Sequence, residues 1–109
     1  MAKQLENYAL GQWTKGSSEG QMLYNAINGE EIGTASSAGL DFGAMMDYAR
    51  TVGGPTLRKM TFQERGLMLK KLALYLMDRK EEFYTVSWAT GATRADSWVD
   101  IEGGIGNLF

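Results

Sequence analysis

The sequence predicts an α+β chain, an N-terminal β-ribbon followed by three to four helices. Three observations carry that prediction. Residues 8 to 35 hold short apolar runs divided by Gly, Ser and Asn turn signals, which is the punctuation of paired strands. Beyond Asp41, apolar residues recur three and four positions apart, the spacing of one helix face. Two capping-box patterns, Thr61-Phe62-Gln63-Glu64 and the weaker Thr93-Arg94-Ala95-Asp96, mark helix starts in that second part.

Taken in order, Tyr8-Ala9-Leu10 and a strand around Trp13 flank a turn near Gly11. A Gly-Ser-Ser-Glu-Gly loop leads to a strand over Gln21 to Ile27. Asn28-Gly29 then predicts a hairpin turn, because both residues tolerate positive φ, and Glu31 to Ala35 is the return strand. A ribbon of this kind is marginal alone and needs a surface to pack on. Asp41 is placed to cap a helix over about 42–52, with Phe42, Met45, Met46, Ala49 and Val52 as its apolar positions. Gly53-Gly54-Pro55 is expected to end it.

The Thr61 capping box opens a helix over about 62–78 whose expected buried face is Leu69, Leu72 and Leu76 with Met68 and Tyr75. Arg79-Lys80 either breaks that helix or lies within it. Glu81 to Ala89 reads as helix with Phe83, Val86 and Ala89 inward, ended by Gly91. From about residue 94 a last helix sets Trp98, Ile101, Ile105 and Leu108 on one side and carries Gly103, Gly104 and Gly106 inside it. Each interior glycine costs about 0.8–1 kcal/mol relative to alanine. That cost makes sense where something must approach the helix backbone closely. Trp13, Trp88 and Trp98 are expected packing anchors, and Met45, Met46, Met60, Met68 and Met77 core filler. Residues 1–37 would form a ribbon arm and 38–109 a helical layer.

The composition narrows the function. With 109 residues there is room for one domain, and 44% hydrophobic against 22% charged residues is an ordinary globular balance. The net charge of -2 offers no basic face for nucleic acid. There is neither cysteine nor histidine, so these residues supply no disulfide framework, no thiolate nucleophile, no zinc site and no histidine base. No apolar run approaches the ~20 residues of a membrane span, and no secretory leader is visible, so no membrane partner is expected and the cytoplasm is the expected compartment.

The candidates for chemistry are few. Gly104-Ile105-Gly106-Asn107 imitates the start of a dinucleotide fingerprint, but the third glycine and the preceding strand are missing. Asp96 and Asp100 share a helix face at four-residue spacing and Glu102 lies nearby; a cap and a solvated face account for them better than a catalytic pair. Lys70-Lys71 and Arg79-Lys80, followed at once by Glu81-Glu82, read as ordinary helix surface.

A Gly-Gln-Trp ribbon, Asn25-Ala-Ile-Asn-Gly-Glu30, a first helix, the Thr61-Phe-Gln-Glu-Arg65 helix and the Thr90-Gly-Ala-Thr93 step follow one another in an order that resembles the N-terminal segment of the aldehyde dehydrogenase superfamily, over residues 8 to 109. The block Thr90-Gly-Ala-Thr-Arg-Ala-Asp-Ser-Trp-Val-Asp-Ile-Glu-Gly-Gly-Ile-Gly106 resembles one branch of it, the bifunctional ring-opening enzymes of phenylacetate catabolism. The resemblance implies that 38–109 is the helical layer of a cofactor-binding domain and that the rest of a dehydrogenase lies beyond residue 109. It implies NADP or NAD as cofactor of the whole protein, none of it held by this segment. A CoA-thioester semialdehyde would be the substrate and homo-oligomers the assembly. The branch adds a C-terminal hydratase that opens oxepin-CoA, with 3-oxo-5,6-dehydrosuberyl-CoA as the product of the dehydrogenase.

The nucleophilic cysteine and general-base glutamate of the family fall outside these residues, so no catalytic residue is assigned here. The resemblance further implies that the last helix borders the substrate tunnel. Gly103 falls about where some relatives carry a bulky apolar side chain, so Gly103, Gly104 and Gly106 are candidates for widening that tunnel; close packing of the helix against the cofactor domain is the competing account. The alternatives for function are a dehydrogenase of another branch, a non-catalytic helical interaction module binding through its last helix, and a small enzyme acting through Asp100 and Glu102.

Overall fold

The computed structural model describes residues 3–109. The strands come first. β1 (Lys3–Gln4), β2 (Glu6–Ala9), β3 (Gln12–Lys15), β4 (Gln21–Tyr24) and β5 (Glu31–Ala35) form two sheets. Then follow α1 (Phe42–Tyr48), a π-helical turn (Ala49–Gly53), α2 (Gly54–Arg58), α3 (Phe62–Asp78), α4 (Lys80–Trp88) and α5 (Arg94–Gly106). The class is α+β, as the strand-then-helix order requires. By its internal contacts the chain divides into two compact units. The strands, α1 and α2 make one; α3, α4 and α5 with residues 26–28 make the other.

In the first unit β2 and β3 pair antiparallel, and Ala9 opposite Gln12 leaves Leu10-Gly11 as a two-residue turn. Both turn residues have positive φ, 53° and 76°. This is the primed turn that matches strand twist, with Leu10 in a backbone region few side chains accept. Tyr8 faces Trp13 across the ladder, ring edge to ring face at 5.1 Å. The second sheet runs β1-β5-β4, β5 being parallel to β1 and antiparallel to β4. Gly33 sits where β5 meets β1: a Cβ there would stand 2.5 Å from the Lys3 carbonyl oxygen, so only glycine permits the pairing. Side-chain amides join these strands to nearby backbone. Gln4 Nε2 donates to the Gly16 and Ser18 carbonyls, and Asn7 Nδ2 to that of Ser36 at 2.8 Å.

Several expectations for this unit are corrected. The strand from Gln21 stops at Tyr24 rather than Ile27, after a register shift at Leu23/Tyr24. The connection is therefore a longer loop than an Asn28-Gly29 two-residue turn, closed by Asn25 N–H to the Glu30 carbonyl and Gly29 N–H to that of Asn25, both 2.8 Å. Gly53-Gly54-Pro55 does not stop the first helix. Both glycines hold right-handed helical angles, and the backbone widens to a π-turn in which the Gly54 N–H reaches the Ala49 carbonyl. The widening lets Pro55 enter as the first turn of a new helical stretch, where it needs no N–H partner. Trp13 is exposed rather than an anchor, and α1 buries none of its apolar residues.

The second unit begins as expected. Thr61 Oγ1 accepts from the Glu64 N–H at 3.1 Å, and Glu64 Oε2 accepts from the Thr61 N–H at 2.6 Å, a complete capping box. α3 breaks at Arg79, whose φ of -106° and ψ of 11° leave the helical region, and α4 starts one residue on. Gly91, at φ 85°, supplies the turn after α4. Thr93 caps α5 by accepting from the Asp96 N–H at 3.2 Å. Within this unit the Ala26 N–H donates to the Ala89 carbonyl at 2.8 Å.

Which faces are buried differs from expectation. α3 buries only Ala73, while Met68, Leu69, Leu72 and Tyr75 stay exposed and Leu76 is half-buried. On α4 the buried residue is Tyr84; Phe83 and Ala89 are half-buried and Val86 is exposed. α5 turns Ser97, not Trp98, inward with Ile101, Ile105 and Leu108. The residues with almost no exposed area on these helices are two small ones, Ala73 and Ser97, and one large one, Tyr84. Trp88 and Trp98 are exposed, and none of the five methionines named above is buried.

Candidate functional site

α5 carries the candidate residues, and its two faces are unlike. The inner face repeats every three or four positions through Ser97, Ile101, Ile105 and Leu108. The opposite face, with Asp96, Val99, Asp100, Gly103, Gly104 and Asn107, lines a shallow open groove. Gly106 is not part of that groove. At Gly103, Gly104 and Gly106 alike, an added Cβ would meet nothing within 4 Å among the described residues. Contacts inside this unit thus do not require the three glycines. Asn107 Nδ2 donates to the Gly103 carbonyl at 3.2 Å across the same turn.

The carboxylates separate by role. Asp96 Oδ2 accepts from the Thr93 hydroxyl at 2.9 Å and so belongs to the cap. Asp100 lies along the open groove. Glu102 points the other way: one oxygen accepts from Lys80 Nζ at 3.0 Å, and the other from the Tyr84 hydroxyl. Asp100 and Glu102 therefore do not converge on one point. The phenol ring of Tyr84 lies under the Arg94 guanidinium at 4.5 Å, and Arg94 Nη2 also pairs with Glu81 at 3.3 Å. Ser87 and Ser97 share a hydrogen bond at 2.8 Å between α4 and α5.

This arrangement perturbs two groups. The hydrogen bonds from Tyr84 and Lys80 hold the Glu102 carboxyl below its ordinary range, because both favour the anion. Burial, then the adjacent Glu102, pushes the Tyr84 hydroxyl up to about 12. The network is satisfied: among the described residues no buried side-chain nitrogen or oxygen lacks a partner. It holds two helices together and offers no free acid or base.

The sequence reading named Glu102 but missed its partners and missed Ser97. Lys80 and Tyr84, four residues apart on one helix face, were the available signal for a paired donor set. No group of three or more Asp or Glu among the described residues stands close enough to hold a metal ion. Gly104-Ile105-Gly106 lies inside α5, not in a strand-to-helix turn, so it does not form a pyrophosphate cradle. Among the described residues no helix is long and apolar enough to cross a membrane.

The chain is α+β, strands first and helices after, and its sequence holds neither cysteine nor histidine. Comparison with known proteins places it. Residues 13–109 match the model of the aldehyde dehydrogenase family, and the chain belongs to that family. It is also similar to a 3,4-dehydroadipyl-CoA semialdehyde dehydrogenase of Aromatoleum evansii, with 36% identity over 102 residues. That alignment takes in 93% of this chain but 20% of the relative, so the chain spans about a fifth of that protein's length.

Proposed function

We propose that this chain is the leading segment of an NAD(P)-dependent aldehyde dehydrogenase that oxidises a CoA-linked semialdehyde. The observation that carries the reading is the family match over 13–109 together with 36% identity to a relative named for a CoA-bound semialdehyde. The segment's own part is positional. With no cysteine and no histidine it brings no nucleophile or imidazole base, and acting alone it has no activity. The nicotinamide cofactor accepts the hydride in the complete enzyme, and no residue of this segment is assigned to it.

Two features of the chain support that reading. Large apolar residues are exposed on every helix, among them Leu67 and Leu74 on α3 and Trp98 and Val99 on α5. The remainder of the dehydrogenase, and further copies of it, would cover them. The glycine face of α5 costs helix stability with no contact in its own unit to account for it. Gly103, Gly104 and Gly106 would instead leave room for a bulky CoA-linked chain, with Gly103 nearest the substrate.

Within this reading the substrate is the 3,4-dehydroadipyl-CoA semialdehyde for which the relative is named, or the semialdehyde released by opening oxepin-CoA. The block from Thr90 to Gly106 favours the second and adds a fused hydratase. The test is reduction of NAD or NADP by the purified enzyme that carries this segment, with each CoA-linked semialdehyde and with a short free aldehyde. A kcat/KM about tenfold or more higher for a CoA-linked substrate is expected, a difference of ~1.4 kcal/mol in transition-state binding. Equal values would remove the CoA reading. No reduction with any aldehyde would remove the dehydrogenase.

A further inference from the structure

We infer that Glu102 is a positioning residue, the latch that fixes the glycine-rich end of α5 and so sets where the Gly103–Gly104 face stands. The inference deepens the proposal above and rests on it for its functional consequence, though not for the latch itself. The argument starts from helix physics. Gly103, Gly104 and Gly106 make the last turns of α5 the weakest stretch of that helix, and helices this short draw their stability from tertiary support. On its inner side Ile105 is buried and Leu108 half-buried, but apolar contacts are non-directional and tolerate rotation of the helix about its axis.

Glu102 supplies the direction. It immediately precedes the first of these glycines and is 18% exposed, and each of its carboxylate oxygens has its own donor on α4. The donors are Lys80 and Tyr84, and Tyr84 is itself held. They stand one helical turn apart, the Tyr84 ring is covered by the Arg94 guanidinium, and Arg94 is tied to Glu81. Two charge-assisted bonds from donors one turn apart fix both the rotation of α5 and its advance along α4. One residue later the chain presents Gly103 to the opposite side.

The test uses Glu102→Gln, which keeps the shape, removes the charge and leaves one strong acceptor instead of two. Amide hydrogen exchange is read over 103–109 and, for comparison, over 64–78 in α3. Faster exchange by about tenfold or more at 103–109, with α3 within about twofold, is expected. Glu102→Asp, which keeps the charge but shortens the reach, restores part of the protection. Unchanged exchange at 103–109 overturns the inference, and so does an equal rise in both segments. If Glu102→Gln fails to fold, Tyr84→Phe and Lys80→Met each remove one donor and carry the same comparison. In the complete enzyme the positioning role predicts a several-fold rise in KM for the CoA-linked substrate with kcat little changed. Faster exchange with unchanged KM would uphold Glu102 as the latch and sink the reading of the glycine face as a substrate border.

Discussion

Glu102 shows how one residue can look catalytic in sequence and prove structural in space. Its carboxylate is spent on Lys80 and Tyr84, and its titration becomes a stability term. Because its folded pKa is lowered, its contribution is complete above the ordinary glutamate range near 4.5 and is lost as pH falls through the depressed value. Tyr84 has the opposite sign. Its raised pKa contributes fully below pH 10 and is lost as pH climbs from 10 to about 12. The charged groups around the pair are Lys80, Glu81 and Arg94. Denaturation followed against pH should lose stability at both ends, and Tyr84→Phe should flatten the alkaline limb. An alkaline limb that persists in Tyr84→Phe would assign it to other groups.

The glycines give a second test at this scale. Gly103→Ala and Gly104→Ala meet no atom in their own unit and have ordinary helical angles, so each should stabilise the isolated chain by up to about 1 kcal/mol in urea unfolding. Loss of stability would mean that a contact is being broken. The glycines stood out in the sequence because a local propensity rule is violated there. The partners of Glu102 did not, since they lie 22 and 18 residues upstream and no periodicity links them.

At the level of elements, the legible features were local ones. The Thr61 and Thr93 caps, the Gly91 turn and the span of α3 all follow from residues adjacent in the chain. Thr61→Ala should cost about 1 kcal/mol in unfolding free energy, since the N–H of Glu64 loses its acceptor while the backbone N–H at position 61 still donates to Glu64. A change near zero would show the cap to be dispensable. The misread features were those where backbone or neighbours decide. Gly53-Gly54-Pro55 carries every stop signal, yet a π-turn takes the proline in without a break. The helix faces were misassigned because apolar spacing finds a stripe but cannot say what will cover it. α3 places Leu69 and Leu72 toward solvent and fits Ala73 against its neighbours, where the smallest side chain allows the closest approach.

For the molecule as a whole, the imbalance between buried and exposed apolar residues is the governing fact. Among the described residues the buried apolar set is Ala9, Ala73, Tyr84 and Ile105, whereas 25 large apolar residues are exposed. A soluble monomer rarely keeps such a surface uncovered. The isolated chain should therefore bind a hydrophobic dye strongly or self-associate. Leu67→Lys together with Leu74→Lys, on the α3 groove they share with Lys70 and Lys71, should lower dye binding with little change in unfolding midpoint. A dye-silent, monodisperse chain would contradict the claim that these faces await cover.

The central claim joins the two ends of the account: that the open glycine face of α5 serves the substrate of a CoA-semialdehyde dehydrogenase. Its most direct test is Gly103→Met in the complete enzyme, with KM measured for a CoA-linked semialdehyde and for a short free aldehyde. A Cβ at Gly103 meets nothing within 4 Å in its own unit, so the substitution probes what lies across the groove. The account predicts a KM raised about tenfold for the CoA-linked substrate and unchanged for the small one, a differential of ~1.4 kcal/mol. Equal effects on both substrates, or none on either, would contradict it.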